Sequence, residues 1–265
     1  MKPNQVKEIY GSYWNRIENI IQSVDPSKVS LDDLWGAITY SEITDSFLDI
    51  GYKKPNYNSP SPHGSSPDFK SSFKDYCSIK KSLILEEEIE DAELIIDMGS
   101  GWGRNAVFLA QKFPDKTIVA LEYCEEGSRA TNLISDKYEL PNIITAPFDY
   151  YNPSALESIV FPFAKTVDSA YFFSSFSIEQ VPYLGEDFIL NILHSPFAQI
   201  TTLHFEPIGW QIKNISKNTQ GYYNNDLFPI LRKLQASKMI KIDKIEADIF
   251  GDIKNPGSKI VWTRQ

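Results

Sequence analysis

Cysteine is nearly absent. Cys77 and Cys124 are the only two, too few and too far apart in the chain for a disulfide framework or a zinc site. Reduced thiols in a cytoplasmic protein are the expectation. No apolar run reaches the ~18–20 residues of a membrane span, and the opening MKPNQVKEIYGSYW has no apolar core of a secretory signal. Dense basic clusters are also missing: Lys80-Lys81 and Arg232-Lys233 are the strongest, against a net charge of −9. An acidic surface repels phosphate backbones, which argues against a nucleic-acid partner.

What is present is an ordinary globular composition over 265 residues, 42% of them apolar, enough for one large α/β domain with an extension. Residues 1–50 read as helical. QVKEIYGSYWNRIENIIQSV places Val6, Tyr10, Tyr13, Trp14, Ile17 and Ile21 at helical spacing, Pro26 ends the helix, and Ser30 is the expected cap of a second. GYKKPNYNSPSPHGSSPDF, residues 51–69, is a long loop that reads equally as a linker or as a lid carrying His63. A helical pattern returns over residues 70–91.

Short β-rich runs then alternate with helices. Strands are expected at Leu94–Met98, Thr117–Glu122, Asn142–Pro147, Thr166–Phe173 and Gln199–Phe205. Such alternation implies a parallel sheet covered on both faces. After a helix over Asn225–Ser237, two consecutive strands around Asn255-Pro256-Gly257 read as a closing hairpin. The expectation is an α/β fold: a seven-stranded, mostly parallel, doubly wound sheet with an antiparallel C-terminal strand and an N-terminal helical extension. The division is a cap or lid over residues 1–70 and a domain over 71–265, with the N-terminal helices offering a surface for a homodimer.

The most informative stretch is LIIDMGSGWGRNAVFLAQ, Leu94–Gln111. A glycine-rich turn between strand and helix lets a ligand approach the backbone. Here Gly99, Gly101 and Gly103 alternate, and Arg104 stands where a dinucleotide fingerprint wants its third glycine. The Lys-Ser/Thr of a phosphate-binding loop is missing too. Asp97 closes the strand, where its charge disfavours a pyrophosphate and favours a cation. Glu122 closes the second strand 25 residues on, suited to ribose hydroxyls. After the third strand Asp149 can accept from an adenine amino group, with Phe148 and Tyr150 beside the base; Asp149 equally fits a turn former.

The series DMGSGWG, ALE and PFD, in this order, resembles the class I S-adenosylmethionine-dependent methyltransferases over Leu94–Arg264, about two thirds of the chain. The resemblance implies a seven-stranded sheet and S-adenosylmethionine as cofactor. Asp97, Gly99, Gly101 and Gly103 would hold its methionine part, Glu122 its ribose, and Phe148 and Asp149 its adenine. No metal is called for. The Asn/Asp-Pro-Pro-Tyr/Phe run that family members use on planar nitrogens is replaced by FSSFS. That disfavours adenine or glutamine as the acceptor. The cofactor residues, the acidic charge, His204 with Glu206 and the Tyr222–Asn225 cluster together suggest a small polar molecule, first a hydroxyl of a sugar or related metabolite. The alternative is a nitrogen of an amino acid, peptide or protein side chain; a non-catalytic cofactor-binding module ranks below both.

For the chemistry, His204 and Glu206 alternate on one strand face and could act as a base with its orienting carboxylate. Glu179 and Gln180 follow the fourth strand and could bind the acceptor. Tyr222 and Asn225 lie in an aromatic and amide cluster suited to a polar substrate. Each also has a structural reading: a core histidine, a helix-start acid, a helix cap.

Overall fold

The computed structural model describes residues 3–41, 87–89, 92–215, 223–252 and 255–265. The loop over 51–69 with His63, most of the helical pattern over 70–91, Cys77 and Tyr222 lie outside the described residues.

The elements are α1 (Pro3–Ser23), α2 (Leu31–Ser41), β1 (Leu94–Met98), α3 (Arg104–Lys112), β2 (Thr117–Glu122), α4 (Glu125–Lys137), β3 (Ile143–Pro147), α5 (Ala155–Val160), β4 (Ser169–Ser175), α6 (Glu186–Leu193), β5 (Gln199–Glu206), α7 (Leu227–Ala236), β6 (Ile240–Asp252) and β7 (Asn255–Arg264). They form one seven-stranded sheet in the order β3-β2-β1-β4-β5-β7-β6. β1 to β5 run parallel, and β7 is antiparallel to both neighbours. Strand order reverses between β1 and β4, and the crevice outside their carboxyl ends is where a doubly wound sheet binds ligands.

Burial on both faces explains why β1 carries apolar residues at nearly every position. Leu94, Ile96 and Met98 join Val119, Leu121, Phe172 and Trp262 beneath α6 and α7. Ile95 joins Ile118, Ala120, Tyr171 and Phe173 on the other face, under α3 and α4. Ile17 and Ile21 of α1, with Leu31, Leu34 and Ile38 of α2, belong to this second cluster. The apolar stripes of both N-terminal helices are thus buried within the chain. Polar contacts fix α1 on α4: Arg129 Nε donates to Glu18 at 3.2 Å, Arg129 Nη2 to Asn15 at 3.0 Å, and Lys137 Nζ to the Val24 carbonyl at 2.6 Å. Ser30 caps α2, its Oγ accepting from Asp33 N at 3.1 Å.

Strand boundaries differ from expectation by one residue at the start of β3 and the end of β5, and by more at three places. β4 begins at Ser169, not Thr166, because Thr166 Oγ1 donates to the Phe163 carbonyl and closes a 3-10 turn. It runs on to Ser175, since Ser174 pairs with His204 in the β4–β5 ladder. Asn255-Pro256-Gly257 belongs to β7 rather than to the turn. The β5–β7 pairing stops at Glu206–Ser258, so Pro256 faces no β5 carbonyl that would need its missing N–H.

Candidate functional site

The turn after β1 places all three glycines in the left-handed region, with φ of 76° at Gly99, 59° at Gly101 and 84° at Gly103. Gly99 N and Ser100 N both donate to the Leu121 carbonyl at 2.8 Å, and Gly103 N to the Ser100 carbonyl at 3.0 Å. Gly101 N donates to Glu122 Oε2 at 2.7 Å. A pyrophosphate-binding turn would aim such groups at its ligand; here four of them are already engaged. The space beside each glycine is also taken. A Cβ at Gly99 would stand 2.5 Å from Ser177 Cβ, one at Gly103 would stand 2.4 Å from Thr131 Oγ1, and one at Gly101 would stand 3.1 Å from the Trp14 ring.

Outside the carboxyl ends of β1 to β4 lies a cavity of about 300 Å³. The structure brings Gly99, Gly101, Glu122, Phe148, Asp149 and Gln180 together on its wall. Asp97 and Gly103 are not on the wall; Asp97 is buried at the end of β1. α1 contributes Val6, Tyr10 and Trp14 to the same cavity. The sequence pattern gave α1 an apolar stripe but carried no signal that these three residues face the glycine turn.

Glu122 is almost fully buried. Burial pushes its carboxyl up to about 7, although backbone N–H groups of Cys124 and Gly101 pull the other way. Cys124 N donates to Oε1 at 2.8 Å. With a backbone donor on each oxygen and further bonds from the Tyr123 backbone and the Cys124 thiol, the carboxylate is fixed in one orientation at the cavity wall. Asp149 accepts the Tyr151 amide at 2.9 Å on Oδ1, so its turn-forming and wall-lining roles coexist. Phe148 and Tyr150 meet edge to face, centroids 5.2 Å apart. Tyr150 is pinned: its hydroxyl donates to the Met98 carbonyl at 2.7 Å and lies 2.8 Å from Ser177 Oγ.

His204 and Glu206 are fully buried and stand outside the cavity lining. The His204 ring packs between Phe188 and Trp262, its Nδ1 3.0 Å from Ser174 Oγ, and burial lowers its pKa to about 3. Glu206 receives the amides of Ser177, Ile178 and Glu179 at 3.2, 3.3 and 3.3 Å. Burial first, and then the charge of Glu179, raise its carboxyl to about 8. Glu179 Oε1 accepts from Gln180 Nε2 at 2.8 Å. Asn225 donates from Nδ2 to the carbonyls of Pro182 and Tyr223 at 3.1 and 2.8 Å. The N-cap position of α7 is instead Asp226, and Asn224 Oδ1 just before it accepts from Asp226 N at 3.2 Å and Leu227 N at 2.8 Å.

No family model matches the sequence, and no curated protein matches it. Solved structures do. A Klebsiella pneumoniae protein assigned as an O-methyltransferase aligns with a TM-score of 0.50 at 12% identity, over 70% of this chain and 80% of that one. A SAM-dependent methyltransferase from Aquifex aeolicus aligns at 0.46 and 12%, over 73% and 96%. The N-terminal domain of EvdMO1, crystallised with SAH and D-fucose, aligns at 0.45 and 12%, over 71% and 82%. The chain spans 40% of the longer EvdMO1 chain. At such identities the likeness is one of fold. The chain has the Rossmann-like, seven-stranded fold of the class I methyltransferases, with a cavity at the switch point of its sheet.

Proposed function

We propose that the chain is an S-adenosylmethionine-dependent methyltransferase acting on a small polar acceptor. One observation carries this reading: the glycine turn, Glu122, Phe148 and Asp149, distant in sequence, meet on one cavity wall while four of the turn's amides are already bonded within the chain. The wall suits a nucleoside and not a phosphate chain. Glu122 would take the ribose hydroxyls, Asp149 an adenine amino group, and Phe148 the face or edge of the base. Gly99 and Gly101 would line the methionine part; Asp97 and Gly103 would support it from behind.

Bound there, the cofactor supplies an electrophilic methyl group on a sulfonium. The chain's own contribution is to align the acceptor and exclude water, which the aromatic wall and α1 do. Ser175, Ser177 and Gln180 at the β4 exit offer polar groups to an acceptor hydroxyl. A nitrogen acceptor is the second reading, favoured by Glu179 in the same β4-exit segment and by the net charge of −9, which would suit a cationic substrate. His204 and Glu206 would act from behind this wall instead of as a base in contact with the acceptor.

The test is isothermal titration with S-adenosylhomocysteine, followed by a mass-detected screen for methyl gain across hydroxyl and amine metabolite pools. Binding that Glu122→Gln and Asp149→Ala each weaken about tenfold or more supports the assignment. Absence of binding overturns it, and binding without any methylated product would leave a cofactor-binding module.

A further inference from the structure

The cavity wall from Ser175 to Val181 is unusual in how it is held. It contains Phe176 at φ 54°, a left-handed conformation that costs an L-residue ~1–2 kcal/mol. Two residues at the end of β5 hold it there. The Phe205 carbonyl accepts from Phe176 N at 3.1 Å, and the two rings meet edge to face at 5.5 Å. Gly257 of β7 makes room, since a Cβ there would stand 2.8 Å from Phe205 and 2.9 Å from Phe176. The next residue, Glu206, gathers three successive amides of the same segment, Ser177 to Glu179.

Behind Glu206 runs a buried hydrogen-bonded chain. Ser174 bonds the Glu206 carboxyl and also lies 3.0 Å from His204 Nδ1. His204 Nε2 is buried and makes no hydrogen bond. An unpaired lone pair is cheaper there than an unpaired N–H, which favours the tautomer with hydrogen on Nδ1. That imidazole donates to Ser174, and the Ser174 hydroxyl donates to Glu206. All four contacts therefore present hydrogen to the carboxyl, the arrangement a carboxylate satisfies and a carboxylic acid does not.

We infer that Glu206 is a positioning residue: it fixes the β4 exit so that Ser175, Ser177 and Gln180 line the cavity, and ligand affinity depends on it without contact. The inference rests on the cofactor reading for its affinity arm alone. Because the contacts fit the ionised carboxyl, a ligand that needs the ordered wall binds that form better. The groups around Glu206 are acidic or neutral: Glu179 raises it, Tyr150 feels its charge together with those of Asp97 and Glu122, and His204 stays neutral. Affinity should rise with pH through the Glu206 range near 8.

Two measurements test this. The first is amide hydrogen exchange of the ligand-free protein, wild type against Glu206→Gln. Exchange over residues 176–181 should quicken about tenfold or more while α3 and α4 stay protected. The second is S-adenosylhomocysteine affinity from pH 6.5 to 9. The wild type should tighten severalfold, Glu206→Gln should bind about tenfold more weakly at pH 9 with a flat profile, and Ser174→Ala should move the wild-type midpoint upward. Unchanged exchange in Glu206→Gln overturns the inference, as does an unchanged pH profile. A wild type that binds no S-adenosylhomocysteine overturns the cofactor reading instead, and the exchange result then decides the positioning role by itself. Should Glu206→Gln not fold, the Ser174→Ala midpoint makes the same decision.

Discussion

Gly103→Ala separates two explanations of the glycine turn. If the glycines serve only to admit a ligand, the substitution costs affinity and leaves the empty protein as stable as before. The structure demands otherwise. Gly103 sits at φ 84°, and its new Cβ would meet Thr131 Oγ1 at 2.4 Å, Cγ2 at 2.6 Å and Cβ at 2.9 Å. Thr131 cannot swing away: it is fully buried in α4 and its hydroxyl is bonded to the Gly127 carbonyl at 3.0 Å. The left-handed backbone costs ~1–2 kcal/mol. Wedging a methyl group against a fixed neighbour costs a further ~1–3 kcal/mol. Urea unfolding without ligand should therefore show a loss of about 2–5 kcal/mol. In the double variant with Thr131→Ala, two of the three close atoms are gone, so the pair should couple favourably by about 1–2 kcal/mol. A Gly103→Ala protein within about 0.5 kcal/mol of wild type, or no coupling to Thr131, would refute the packing argument.

Other perturbations follow from the same geometry. The folded carboxyls of Glu122 and Glu206, raised from 4.5 to about 7 and about 8, hold protons that the unfolded chain has released. Their contribution is full below 4.5 and lost as pH rises through 7 and 8, so ligand-free stability should fall over that window. His204, lowered from 6.5 to about 3, works in the opposite sense below 6.5, so the decline should be steepest above that pH in a thermal-melt series; a rise from pH 6.5 to 8 would contradict it. Trp14→Ala removes the ring over Gly101 and should weaken S-adenosylhomocysteine binding about tenfold by titration. An unchanged affinity would mean that α1 is no part of the site. Arg129→Ala breaks its bonds to Glu18 and Asn15 on the surface and should cost under about 1 kcal/mol in urea.

Legibility in the sequence followed how local each signal was. β1 and β2 matched to the residue, because an apolar run flanked by turn formers and an acid marks both ends. The four positions Gly99, Gly101, Glu122 and Asp149 could be read as neighbours from fold logic alone, since successive parallel strands end at one edge. Depth could not be read. Alternation along β5 puts His204 and Glu206 on one face, but whether that face meets solvent is decided by β7, which pairs β5 through Ser258 and sets Trp262 beside the imidazole. A hairpin at the far end of the chain thus converts two residues that look reactive into buried ones. The same holds for Phe176: nothing in FSSFS forecasts a left-handed phenylalanine, because the force that holds it comes from Phe205 and from the missing side chain at Gly257. The part of the cavity wall that rests on strand ends is readable in order. The part from Ser175 to Val181 rests on a loop whose shape is imposed by β5 and β7, through contacts that no local pattern encodes.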